Sequence, residues 1–410
     1  MDDLADSLLD LAIQTASGRY SKGENAQHSQ VSIWRDWQQT GPVSPDISLS
    51  DPDTVGSPLK KKGPKKQPRR KLSFTGFRTP IGTTIDQVAL IVPASLCSSQ
   101  VAQMLALELN QNRPVPEEFV TRFVSFGHTE GCGATSGHSE NLLVQTLLGY
   151  MNHPMVRFAM VLEHGCEKVH NEYLKGKLEE SGHDPASFGW ASIQLDGGIE
   201  KTRRRIRTWF AEFADTSAPN SVVKAGLESV RLGVLTAQPC PDGVSAVIAE
   251  TVDDVIGSGG TVVIPSSDRL LKGSFLYDLG ISRESTKATL SYGGYSKVAG
   301  LHLMDMPTDH WVELLSGLGA SGVEMILAYT GHHPLQGHPL VPVIQVGSTD
   351  DQCLTSTDNF DLMASEDHET LLEDLYELLA KTASRSYVPK ALRQGNVDFQ
   401  MTRGPLGFSV

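Results

Sequence analysis

The sequence predicts an α/β fold: two Rossmann-like lobes with mainly parallel sheets, preceded by an N-terminal helical tail and a linker. Short apolar runs recur, each followed by a turn bearing Gly, Cys or Ser and then by a helical pattern, as in parallel strands joined by right-handed crossovers. The pattern comes in two series, over 72–215 and 216–370. Residues 46–71 instead mix Pro, Ser, Asp, Gly and bases with almost no large apolar side chain, so they cannot bury enough surface to offset their ordering entropy.

In chain order, residues 1–45 open with an amphipathic pattern, Leu4, Leu8, Leu11 and Ala12, ending in T-A-S-G-R-Y. Residues 7–20 align with 374–387 at six identical positions of fourteen, T-A-S and the following Tyr among them. This segment therefore reads as a copy of a module's C-terminal tail, placed upstream of a second module. Gln87–Pro93 reads as a buried strand, followed by C-S-S and a helix over Gln100–Leu109. Phe123–Phe126 is a strand before G-H-T-E-G-C-G (127–133), with a helix over Glu140–Asn152 after it. Phe158–Leu162 is a strand before E-H-G-C-E (163–167), with a helix over Lys168–Glu180. The second series has Ser229–Leu235, a helix over Ser245–Ile256, G-G-T-V-V-I-P (259–265), Val312–Leu318, Gly322–Tyr329 and Val341–Val346. Residues 371–410 form the tail, with a helix over 369–385 packed across the lobes.

Composition narrows the function classes. No apolar run approaches the roughly 20 residues of a bilayer span, so no membrane partner is expected. Five cysteines in 410 residues, without close pairing, argue against a disulfide scaffold and for a reducing, cytoplasmic setting. The net charge is −13 although eight bases cluster over Lys60–Lys71. A globally acidic chain binds phosphate backbones poorly, so that run reads as a solvated linker and no nucleic acid is expected.

Ligands of parallel α/β sheets gather at the carboxyl ends of the strands. Each of the first three strand-to-helix turns presents a cysteine: Cys97, Cys132 and Cys166. His128 precedes Cys132 by four residues, and Glu163, His164 and Glu167 surround Cys166. Cys, His and carboxylate together suit Fe(II) or Zn(II), yet no C-x-x-C spacing is present, and a solitary Cys is commonly a small core residue. Gly131 and Gly133 let backbone N–H groups approach an anion, and a carboxylate substrate fits there without a metal. Gly197, Gly198 and Lys201 offer the same in L-D-G-G-I-E-K-T (195–202), although Arg203–Arg205 also fit an exposed helix face. His332, His333 and His338 lie in a Pro-rich loop that matches no standard zinc spacing.

These motifs, in this order, resemble the altronate/galactarate dehydratase family. F-T-G-F-R-T-P-I-G-T (74–83) resembles the start of its catalytic region, followed by Cys-Ser, H-x-x-G-C-G, Gly149–Tyr150, His153–Pro154 and G-C-E. Met304–Asp305, Thr330–Gly331, V-I-Q-V (343–346) and T-A-S (382–384) resemble its later segments. The resemblance implies a hydro-lyase acting on a sugar acid, dependent on Fe(II), with Mn(II) or Zn(II) as alternatives. It implies metal or substrate contacts at His128, Cys132, Cys97 and Cys166, and catalytic roles among His128, Glu167, Asp242 and His332.

The chain also departs from the family pattern. Q-P-C-P-D (238–242) stands for Cys-Gly-Gly-Ser-Asp, His332 for an arginine, and an SAF-type domain is expected on another chain. A regulatory homologue, or a sulfo-lyase-type subunit working with that partner, therefore remains open beside the lyase, as does a homo-oligomer.

Overall fold

The computed structural model describes residues 57–59, 70–132, 137–282, 287–349 and 357–403. The expected helix over 1–45, nearly all of the 46–71 linker and Gly133 lie outside the described residues. Residues 50–410 cluster as one unit. The globular chain opens with β1 (Phe74–Thr79) and β2 (Gly82–Thr84), an antiparallel pair that Val222–Ala225 (β7) extends on the other side of β1. The sequence patterns did not anticipate this small sheet, because its strands are short and carry Gly and exposed polar positions.

The first parallel sheet has the order β4-β3-β5-β6, with β3 at Val88–Pro93, β4 at Arg122–Ser125, β5 at Val156–Glu163 and β6 at Gly189–Ser192. All three pairings are parallel, and every residue of β3 is buried, which explains why that strand reads as an unbroken apolar run. Alternate side chains serve two cores. Val88, Leu90 and Val92 meet Leu143, Val144 and Leu147 of α2 (His138–Met151), along with Leu174 and Leu178 of α3 (Asn171–Glu180). Ala89 and Ile91 meet Ala102 and Leu105 of α1 (Leu96–Gln111), along with Ile206 and Phe210 of α4 (Ile199–Asp215). Helices thus cover both faces, as buried parallel strands require.

The second parallel sheet has the order β10-β9-β8-β11-β12-β13. Its strands are β8 (Arg231–Thr236), β9 (Thr261–Pro265), β10 (Gly300–Met304), β11 (Met325–Gly331), β12 (Val343–Gly347) and β13 (Leu362–Met363). Helix α5 (Asp242–Ser258) follows β8, and α6 (Trp311–Ala320) precedes β11. The two lobes meet through α2 and α6. The approach is close because Gly149 and Gly319 lack side chains: a Cβ on Gly149 would lie 2.5 Å from the Ala320 carbonyl oxygen, and one on Gly319 would lie 2.3 Å from the Tyr150 hydroxyl.

The tail helix α7 (His368–Ala383) ends in the T-A-S segment. The Thr75 N–H donates to the Ser384 hydroxyl at 3.1 Å, and Arg385, held at a φ of 61°, donates to the Thr75 and Ile85 carbonyls. T-A-S-R is therefore a clamp that fastens the tail helix to the antiparallel sheet. The chain then returns to the first lobe, where Phe399 stacks on Phe126 with 4.1 Å between ring centroids.

Candidate functional site

The first lobe's carboxyl edge holds the candidate site. The connection from β3 runs to β4 on one side and that from β5 runs to β6 on the other, so the ends of β3 and β5 flank a topological switch point, where α/β sheets bind ligands. Cys97 follows β3, Cys166 follows β5, and Cys132 ends the turn after β4. The structure brings these three together. The Cys97 and Cys132 sulfurs stand 3.3 Å apart, and Cys166 is near enough to act on Cys97 electrostatically. The hydrogen bond with Cys132, followed by burial and the charges of both neighbouring sulfurs, pushes the Cys97 thiol up to about 11.

Each turn is held by its own neighbours. The Glu167 carboxylate, 6% exposed, accepts the N–H groups of His164 at 2.6 Å, Gly165 at 2.5 Å and Cys166 at 2.8 Å, and the Ser95 hydroxyl at 2.8 Å. Burial raises its pKa, but these hydrogen bonds outweigh burial and leave it lowered. An acceptor so fully engaged makes a poor proton carrier. Glu167 orders the turn that carries Cys166.

The 127–132 turn docks on the first one. The Leu96 N–H donates to the Glu130 carbonyl at 2.8 Å. Gly131 has a φ of +88°, and a Cβ there would lie 2.3 Å from the Ala94 carbonyl oxygen, so only glycine permits this approach. On the other side Arg403 reaches back from the C-terminal tail to pair with Glu130 at 2.9 Å, and the Ser139 hydroxyl donates to the Arg403 carbonyl at 3.0 Å.

The His128 ring is engaged on both sides. Its Nδ1 accepts the Glu130 N–H at 3.2 Å and its Nε2 donates to the Pro93 carbonyl at 2.9 Å, which leaves neither nitrogen for a metal or a substrate proton. The same arrangement recurs at His153, between the Met155 N–H and the Val323 carbonyl, and at His338, between the Leu340 N–H and the Tyr150 hydroxyl. All three rings are buried, and burial lowers their pKa, to about 4 for His153 and about 3 for His338. They are neutral structural histidines. The imidazole that meets sulfur is His164, whose Nδ1 lies 3.3 Å from Cys166 Sγ. The adjacency of His164 and Cys166 in sequence was the available signal, and the G-C-G motif drew attention to His128 instead.

The remaining sequence candidates fall elsewhere. Gly197 and Gly198 adopt φ of +86° and +97° in the turn before α4, and Gln194 of that turn lies 3.4 Å from His164 Nδ1. Lys201 is exposed on the first turn of α4, while Arg203 pairs with Glu108 and Arg205 with Asp196, as an ordinary helix face does. Asp242 begins α5 and His332 follows β11, so both stand at the second sheet's own switch point, between β8 and β11.

A residue that the sequence did not single out bridges the lobes. His138, in the first turn of α2, has a buried Nε2 with no hydrogen-bond partner, and Asp305 at the end of β10 acts on it electrostatically. Burial lowers the His138 pKa and Asp305 raises it, with burial the stronger, so the ring is neutral near pH 7.

The donor set fits a soft or borderline metal: three thiols and one imidazole nitrogen suit Fe(II) or Zn(II) better than Mg(II) or Ca(II). Among the described residues, no group of three or more His, Cys, Asp or Glu side chains is placed to hold a metal ion, so the fit is one of donor chemistry alone. Residues 83–217 match the second domain of D-galactarate dehydratase/altronate hydrolase, and residues 281–404 match the C-terminal domain of D-galactarate/altronate dehydratase. The chain belongs to this dehydratase family.

Both family models are named for enzymes of sugar-acid metabolism, which makes a lyase-type enzyme the family's expectation. The three thiols, His164, Glu167 and His138 fall in the family's second domain, and Asp305, His332 and Arg403 fall in its C-terminal domain. Asp242 lies outside both matched segments, in the same stretch where the sequence departs at Q-P-C-P-D. A comparison with curated proteins found no match. No helix among the described residues is long and apolar enough to cross a membrane.

Proposed function

We propose that the protein is a hydro-lyase that dehydrates a sugar acid or related hydroxy acid. Cys97, Cys132, Cys166 and His164 would hold a divalent metal, Fe(II) by preference, with Zn(II) or Mn(II) as alternatives. The convergence of thiols from three separate turns, at the switch point of the family's second domain, carries this reading. When bound, the metal supplies a Lewis acid that favours the negative charge developing on the substrate. Thiolate ligands rank Fe(II) and Zn(II) above Mn(II).

The chain's own residues supply positioning and proton transfer. Glu167 fixes the backbone of His164, Gly165 and Cys166, as partners of ligand-bearing turns do. At the turn before α4 the Gly197 and Gly198 N–H groups close the turn onto the Gln194 and Ile193 carbonyls, and the exposed Lys201 ammonium offers positive charge to the substrate's carboxylate. His138, neutral and unpartnered at Nε2, takes the proton α to that carboxylate, and Asp305 stabilises the imidazolium that results. Returned to the β-hydroxyl, the same proton completes the elimination of water.

Cys97 and Cys166 are exposed, which leaves the site open to an SAF-type domain on a separate chain. Free thiols at the site also suit a reducing compartment such as the cytoplasm. The test is to incubate the purified, Fe(II)-loaded chain with galactarate and with altronate and to measure 2-keto acid. Formation of keto acid by the wild type, with its loss in His138→Gln, supports the reading. A loaded chain that leaves both acids unchanged, with or without an SAF-type domain added, contradicts it.

A further inference from the structure

The thiol cluster has a second chemistry. We propose that Cys97 and Cys132 are an oxidative modification site, where a hydroperoxide converts the pair into a reversible intrachain disulfide that closes the cluster. The inference rests on sulfur geometry alone and goes beyond the lyase reading.

Two cysteines can be bridged only when their backbones already lie close, because a disulfide demands a sulfur separation of about 2.05 Å and a narrow range of Cα distances. Here the sulfurs are in contact at 3.3 Å although the residues are 35 positions apart. Their backbones are tied independently of the sulfurs, since the Leu96 N–H beside Cys97 donates to the Glu130 carbonyl two residues before Cys132. Gly131 lets the 127–132 turn nest on Ala94 and Ser95. Side-chain rotation of about 1 Å at the sulfurs therefore suffices, without separating or drawing in the turns. Cys97 is exposed and Cys132 half-buried, so a small peroxide can reach the pair. Glu130 and Arg403 hold the second turn in place while the chemistry proceeds.

The steps balance. One sulfur, as thiolate, attacks a peroxide oxygen; the O–O bond breaks, hydroxide leaves and is protonated, and a sulfenic acid forms. The second thiolate then attacks that sulfur; the S–O bond breaks, a second hydroxide leaves as water, and the S–S bond forms. Two thiols and one hydrogen peroxide give one disulfide and two waters. The sulfurs lose two electrons to the peroxide oxygens, and a dithiol reverses the change by exchange.

The experiment treats the full, reduced chain with hydrogen peroxide, quenches free thiols by alkylation and maps the digest under non-reducing conditions. The expected result is a linked peptide pair containing Cys97 and Cys132, removed by dithiothreitol, absent in Cys97→Ser and in Cys132→Ser, and retained in Cys166→Ser. A bridge to Cys166, a bridge between chains, or sulfinic acid at either residue without a linked pair overturns the proposal. The peptide readout does not use turnover, so a chain that forms the bridge but dehydrates nothing counts against the lyase reading alone.

Discussion

The Ser95 hydroxyl donates to Glu167 Oε1 across 2.8 Å, joining the turn after β3 to the turn after β5. Through that carboxylate the two turns bearing Cys97 and Cys166 share one anchor, which also gathers three backbone N–H groups. Glu167→Gln removes the charge and turns one acceptor oxygen into a donor that faces donors. Loss of an outer-shell partner of this kind typically weakens metal binding by about 10–100-fold. A Zn(II) competition titration is expected to show that loss, with a smaller one in Ser95→Ala. Equal affinity in Glu167→Gln and wild type would remove Glu167 from the positioning role.

The two histidines of the first-lobe motifs are expected to separate cleanly. His128→Ala deletes a buried ring that satisfies one N–H and one carbonyl, so it should cost about 2–4 kcal/mol of stability in urea unfolding. The folded fraction should still bind Zn(II) like the wild type. His164→Ala, at a half-buried ring, should unfold within about 0.5 kcal/mol of the wild type and bind Zn(II) more weakly. The reverse pattern would restore the sequence-based choice of His128.

How much could be read in advance follows from these residues. The parallel strands were legible because burial on both faces leaves wholly apolar runs, such as Val88–Pro93. The cysteines were legible as a group because each ends such a run. The choice between His128 and His164 was legible only through the adjacency of His164 and Cys166, because it depends on where each ring's nitrogens point. His138 and Asp305 were hidden for a related reason: they are 167 positions apart and interact electrostatically only because α2 of one lobe packs beside the other. The antiparallel sheet escaped notice because β2 and β7 are short and half exposed.

Glu324 gives a pH-dependent stability. It is fully buried at the base of the second sheet; its Oε2 accepts the Thr84 hydroxyl at 2.7 Å and the Ile85 N–H at 2.8 Å, while Oε1 has no partner. Burial raises its pKa from 4.5 to about 7, against the lowering effect of those bonds. A folded pKa above the unfolded one means that the folded state holds the proton more tightly. The stabilisation is therefore complete below about pH 4.5 and is lost as pH rises through about 7. The shift corresponds to about 3 kcal/mol. Urea unfolding is expected to show the wild type losing about that amount relative to Glu324→Gln between about pH 4.5 and 8. A constant difference between the two proteins would contradict the assignment.

His138 should set the acidic limb of turnover. Because burial lowers its pKa, the base is already neutral at pH 7, and the rate should stay flat there and fall only below the ordinary histidine range. His138→Gln is expected to reduce kcat by roughly 10²–10⁴ and to remove that limb. A variant with wild-type kcat, or a limb that survives the substitution, would move the proton transfer to another group.

The central claim is that thiols from three different turns hold one metal ion. The most direct measurement is an anaerobic Co(II) titration of the reduced apo-chain, reading the thiolate-to-metal charge-transfer absorption. The account predicts saturation at one ion per chain, an intensity that falls in each of Cys97→Ser, Cys132→Ser and Cys166→Ser, and weaker binding in His164→Ala. Absence of the charge-transfer band, or a band indifferent to all three cysteine substitutions, would contradict it.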